Sequence, residues 1–156
     1  MNGEAPVGSL GEHFLRVGKL MRAAEAARFA PYGLTPAQGR VLGVLADSTE
    51  QLCMGDLAVI LGVVPRAITP QIDALEDAGF VRRHTDPRNR RSTLVTLTAE
   101  GSTVHKRLRD ERVRAAEQVF AALTPAQRLT LLELLKMVAP GQSGPAARPG
   151  EPVPPR

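Results

Sequence analysis

Residues 63–101 constrain the fold of this chain more than any other stretch, because they place a helix, a pair of extended segments and a second helix start in immediate succession. Ile68, Ile72 and Leu75 recur at i, i+4 and i+7. At about 100° per residue they share one side of a helix and leave Arg66, Pro70 and Asp73 on the other. Ala78-Gly79 then supplies the left-handed stop with which helices commonly end. Beyond it, residues 80–84 and 92–97 are rich in β-formers and flank Thr85-Asp86-Pro87-Arg88-Asn89-Arg90-Arg91, where Pro and Asn suit a turn and three arginines sit together. The pattern predicts a β-hairpin with a basic seven-residue tip.

Upstream, residues 54–61 carry Leu57, Ala58, Ile60 and Leu61 and read as a short helix, with Gly62 as the turn into the helix of residues 65–78. Pro65 is well placed at a first helical position, but Pro70 removes a backbone bond to the Arg66 carbonyl if the helix runs through it. Two readings are open. Either one helix starts at Pro65 and bends near Pro70, or a shorter one starts at Pro70 with Thr69 as its cap. The first is preferred, since the second leaves an unusually long turn after Leu61.

Thr35-Pro36-Ala37-Gln38 and Thr124-Pro125-Ala126-Gln127 are matching helix starts, with Thr as cap, Pro at the first position and Gln placed to reach back. Leu10, Phe14, Val17, Met21 and Ala24 follow the 4-3-4-3 spacing of a helix that packs lengthwise on another, and Leu15 and Leu20 widen that face. Gly33 ends it. Thr98 caps a long helix to about residue 122, with Val104, Leu108, Ala115 and Val119 on one side and Lys106, Arg107, Arg109 and Arg112 on the other. Residues 1–7 read as a flexible start, and residues 140–156, with 6 prolines and 3 glycines, as a disordered tail.

The chain has 156 residues, a formal charge of +4 and a pI near 10.0, and five of its arginines lie between Arg82 and Arg91. A basic patch of this kind favours polyanions. Cys53 is the only cysteine, so neither an intramolecular disulfide nor a cysteine-based zinc cluster can form, and His13, His84 and His105 lie in separate elements. No Ser/His/Asp set, phosphate-binding glycine loop or paired-acid constellation argues for an enzyme, and no cofactor is expected. The longest apolar run, residues 57–64, is too short to cross a bilayer and no leader pattern opens the chain, so the expected location is the cytoplasm.

The order of motifs is more specific than any of them alone. LE-x-x-G at Leu75 to Gly79, D-x-R-x-x-R at Asp86 to Arg91 and LT-x-x-G at Leu97 to Gly101 follow a helix-turn-helix. In this the chain resembles the MarR family of bacterial transcriptional regulators, over roughly residues 8–138. The resemblance implies a mainly α fold with a small β-hairpin wing, that is, a winged helix-turn-helix at residues 35–101 joined to a helical dimerisation platform from residues 8–34 and 102–139. It also implies that Leu52-Cys53 forms a short strand beside the wing, and that the function is that of a ligand-responsive repressor, homodimeric, on a near-palindromic double-stranded site, with room for a small-molecule effector.

Residue by residue, the resemblance implies that Arg88 and Arg91 meet DNA while Asp86 orients one of them. Arg90, Arg82 and Arg83 read as backbone or surface contacts. On the helix, Arg66 can pair with guanine or phosphate, Thr69 and Gln71 flank the outer face, and Ala67 and Pro70 offer apolar contact to thymine methyls. Val64 stands where the family often has a Ser cap, and Pro70 where it often has a polar base reader. Cys53 reads as core or as a redox sensor, and His13, Arg16 and His105 as candidate lining of an effector pocket. The absent Trp argues against the urate-sensing subgroup. The competing reading is a non-specific architectural DNA-binding protein.

Overall fold

In the computed structural model of the protein, residues 7–140 are described; of the loose N-terminus expected at residues 1–7 and the Pro/Gly-rich tail expected at 140–156, all but Val7 and Pro140 lie outside them. The element order is α1 (Val7–Phe29), a 3-10 turn (Ala30–Tyr32), α2 (Pro36–Asp47), β1 (Leu52–Cys53), α3 (Met54–Leu61), α4 (Pro65–Asp77), β2 (Val81–Asp86), β3 (Asn89–Leu97), α5 (Ala99–Val119) and α6 (Pro125–Val138). The first helix begins at Val7, within the segment expected to be loose. The first residues of its apolar seam, Leu10 and Phe14, lie in solvent, so the helix starts ahead of the seam and independently of any packing by it.

The predicted caps form. Thr35 and Thr124 each accept from the backbone N–H three residues on, and Gln38 and Gln127 accept from the backbone N–H of Thr35 and Thr124 in return. Gly33 closes the 3-10 turn at φ 67°, a conformation that favours glycine. The sheet is antiparallel in the order β1-β3-β2, with Leu52 opposite Val95 and Val81 opposite Leu97.

A single core lies among α2, α3, α4, the sheet and the first half of α5. Leu42, Leu57, Ile68, Ile72, Leu75 and Leu108 are fully buried there, and Phe29 closes it from the end of α1. Helices α3 and α4 meet at 111°, within the range of a helix-turn-helix. Of the apolar residues on α3, Leu57 and Ala58 are buried while Val59 and Ile60 are left in solvent.

Gly101 explains one motif. A Cβ there would lie 1.9 Å from the Phe80 carbonyl oxygen, and the same turn is held by Thr98, whose hydroxyl donates to Gly79 O at 2.6 Å and whose N–H donates to Phe80 O at 3.0 Å. The start of α5 is thus seated directly on the strand that enters the wing.

Helices α1 and α6 are different. Helix α1 packs along α5 but leaves Leu10, Phe14, Leu15 and Leu20 exposed, and α6 buries no residue, with Leu129, Leu132, Met137 and Val138 all in solvent. No single helix among the described residues is long and apolar enough to cross a membrane.

Candidate nucleic-acid interface

Helix α4 runs unbroken from Pro65 through Pro70 to Asp77, which decides between the two sequence readings in favour of the longer helix. Val64 contributes no side-chain cap, and the first turn is held by the Ala67 N–H on the Val64 carbonyl at 2.9 Å. With Ile68, Ile72 and Leu75 fixed in the core, Arg66, Ala67, Thr69 and Pro70 are exposed. Gln71 is half-buried at the edge of the packed side, so it reaches the outer face less freely than expected.

The wing is tighter than its sequence suggested. The seven-residue loop expected at residues 85–91 is a two-residue turn, Pro87-Arg88, because Asp86 is itself part of the turn: its Oδ1 accepts from the Arg88 N–H at 2.8 Å. Asp86 is only 8% exposed, and the Arg88 Nε lies 3.6 Å from the same oxygen, so a buried carboxylate steadies the base of an arginine whose side chain is 85% exposed. On β3 the pairing steps from Asn89 opposite Asp86 to Thr93 opposite Thr85, leaving residues 90–92 as a bulge. The Asn89 side chain accepts from the Arg91 N–H at 3.2 Å within it. Arg88, Arg90 and Arg91 are all exposed at this tip.

One arginine has a different role from the surface contact expected of it. Arg83 donates through its backbone N–H to Glu76 Oε1 at 2.8 Å, through Nη1 to Glu76 Oε2 at 2.7 Å, and through Nη2 to Asp73. Strand β2 is thereby tied to α4, and two acids that would repel a duplex are engaged. The Arg83 backbone N–H, helped by its guanidinium, holds the Glu76 carboxyl below its ordinary range. For Arg83, burial pulls the pKa down, but the two carboxylate hydrogen bonds outweigh it and leave it raised.

Cys53 is a half-buried free thiol with a structural role. Its Sγ accepts from the Asp56 N–H at 3.4 Å and Asp56 Oδ2 accepts from the Cys53 N–H at 3.1 Å, a reciprocal cap on α3. The signal was present as Cys-x-x-Asp, the spacing of a capping box with sulfur in place of a hydroxyl.

A cleft of ≈ 550 Å³ opens between α1, α2 and α5, lined in part by Arg22, Glu25, Arg40, Gly43, Asp47 and Arg112. Of the three residues expected around a pocket, His13 and Arg16 are exposed elsewhere on α1, His13 bonding to Ser9 O, and neither lines this cleft. His105 is buried behind it, its Cε1 3.7 Å from where a Cβ on Gly43 would sit. Arg112, expected on the solvent side of α5, instead turns in over the Phe29 ring at 5.6 Å and lies 4.0 Å from Glu25. The bare faces of Gly39 and Gly43 on α2 make the room for it. His105 Nδ1 and Arg112 Nη2 have no hydrogen-bond partner among the described residues. Burial lowers the His105 pKa, Asp47 opposes this, and Arg112 and Arg109 reinforce it. Among the described residues no group of His, Cys, Asp and Glu could hold a metal ion.

Comparison with known proteins bears on most of the chain. The sequence model of the MarR family matches residues 32–92. The HTH-type transcriptional repressor Rv2887 of Mycobacterium tuberculosis is 36% identical over 134 residues, covering 85% of this chain and 93% of that protein. The crystal structure of the same mycobacterial protein in complex with DNA superposes with a TM-score of 0.73 at 31% identity, over 87% of this chain and 99% of that one. CouR from Rhodococcus jostii RHA1, bound to p-coumaroyl-CoA, matches with a TM-score of 0.70 at 25% identity, over 88% and 96%.

Proposed function

The chain belongs to the MarR family of transcriptional regulators, a winged helix-turn-helix protein, and on that premise we propose that it acts as a homodimeric repressor on a near-palindromic operator and is released by a small organic anion. The observation that carries the reading is the wing tip: three exposed guanidiniums on a turn ordered by buried Asp86, tied through Arg83 to the bare side of α4. Arg88 and Arg91 contact the phosphate backbone or the minor groove, Asp86 orients Arg88, and Arg90 adds a backbone contact. In the major groove Arg66, Ala67, Thr69 and Pro70 face the bases, with Gln71 at their margin.

The unburied leucines of α1 and α6 support pairing of two copies, which sets the two recognition helices about one helical turn apart. The domain division follows: residues 35–101 read DNA, while residues 8–34 and 102–139 join the copies. The cleft between α1, α2 and α5 supports an effector site, since three arginines against two acids favour an anion and the cavity suits a small ligand. A ligand preferring a dimer with altered helix spacing lowers operator affinity by that preference alone. The reading assigns the chain no catalytic step, and its place of action is the cytoplasmic DNA.

Replacing Arg88 and Arg91 together by Ala removes four charged contacts per dimer and is expected to weaken operator binding about 10²- to 10³-fold, with a shallower salt dependence. An electrophoretic shift series on the DNA upstream of the gene, with the circular dichroism spectrum as control, checks this. Unchanged affinity would sink the wing assignment, and equal affinity for random DNA would favour the architectural reading.

A further inference from the structure

We propose that α4 discriminates sequence chiefly by C5-methyl groups of pyrimidines, through an apolar rail of Val64, Ala67 and Pro70, so that a methyl is favoured whether thymine or 5-methylcytosine carries it, while uracil and cytosine are disfavoured. The inference rests on the DNA-binding reading above and concerns what that helix reads.

The first support is the inventory of hydrogen-bonding groups on the exposed side of α4. Near its N-terminal end, where recognition helices reach base edges, the exposed residues Arg66 and Thr69 carry donors. Gln71 is half-buried, and Asp73 and Glu76 are taken up by Arg83. Ala67 and Pro70, three residues apart and therefore neighbours on the helix surface, fill the space between with carbon. Val64, three residues before Ala67 at the cap, continues the line at 56% exposure, with Val63 beside it at 39%.

The second support is independent. Pro70 is an interior helical residue that forfeits the bond to the Arg66 carbonyl, and it is exposed, so it adds nothing to the core in return. Val64 likewise caps nothing with its side chain. Both residues are costly or idle within the fold and become useful against an apolar partner. In the major groove that partner is the methyl at C5, which thymine carries and which methylation confers on cytosine at the same ring position.

The test starts with the duplex that the full-length protein selects from a random pool, measured by fluorescence anisotropy. Exchanging thymine for uracil, one position at a time, removes a methyl and changes no hydrogen-bonding group. One or two positions per half-site are expected to lose affinity about four-fold each, and about 15-fold when both half-sites are changed. At such a position C·G should bind worse than T·A, and 5-methyl-C·G should recover the methyl part. Pro70→Gln regains a backbone N–H and is expected to fold; it should lose the uracil effect at its own position and gain a preference for adenine. Undiminished binding to a fully uracil-substituted site would overturn the methyl rail while leaving DNA recognition intact. Failure to select any sequence above random would overturn the regulator reading, and the rail with it.

Discussion

The lobe from α2 to β3 and the pair α1 and α6 obey the same chemistry to opposite effect. In the lobe, three helices bring together Leu42, Leu57, Ile72 and Leu75, and each of these is fully buried within one protomer. In α6 the same residue type recurs with similar density, yet nothing is buried. One region buries its leucines within the protomer, its core closed by Phe29 of α1 and Leu108 of α5, and the other presents in water a surface that a second copy can cover.

The sharpest way to break this comparison is to damage each region alone. Leu75→Ala is expected to cost about 2–5 kcal/mol in urea unfolding, irrespective of protein concentration. Leu132→Asp, which places a charge on the exposed leucine face of α6, should leave the lobe folded and raise the dimer dissociation constant by about 100-fold, as read by sedimentation. A variant that remains fully dimeric would show that α6 is not the joining surface.

A smaller effect tests the seam between the regions. In a helix Ala is ordinarily better than Gly by about 1 kcal/mol, but at Gly101 the added carbon meets the Phe80 carbonyl, so Gly101→Ala should instead destabilise by about 1–3 kcal/mol. Hydrogen exchange should quicken in β2 and β3 more than in α1. A stabilised Gly101→Ala would mean that α5 can slide on the wing.

The smallest expected effect is a pH dependence at the junction. The folded pKa of His105 lies below its ordinary value of 6.5, so its contribution is complete above that pH. As pH falls below it, the unfolded chain takes up the proton first and stability declines through the folded pKa. His105→Gln should flatten the thermal stability profile in that window. Glu76, whose folded pKa is also lowered, loses its contribution only in more acidic solution, below 4.5, so the two are separable.

What could be read in advance follows from the range of the forces involved. Caps at Thr35, Thr98 and Thr124 and the face of α4 depend on residues within a turn or two, and these were legible. The family motifs placed the wing, and Leu52-Cys53 did pair with β3 as the resemblance implied. The inward turn of Arg112 was hidden, because it depends on two glycines about seventy residues earlier, and an arginine among arginines reads as solvated. Arg83 was hidden for a similar reason: its partners are set by the angle between β2 and α4. The short wing turn is not legible in the sequence, because Asp86 reads there as a charge, whereas in the fold its carboxylate accepts from the Arg88 N–H and closes the turn. The roles of the individual DNA-facing side chains rest on exposure and on the family pattern, and the uracil and arginine experiments address them directly.

The seating of Gly101 on Phe80 has a mechanical consequence. Thr98 fixes the first turn of α5 to the consecutive carbonyls of Gly79 and Phe80 just ahead of β2, and Arg112 lies on the same continuous helix, at the wall of the cleft. The cleft wall and the wing's entrance are therefore joined by one continuous helix, with Arg112 towards one end and Thr98 at the other.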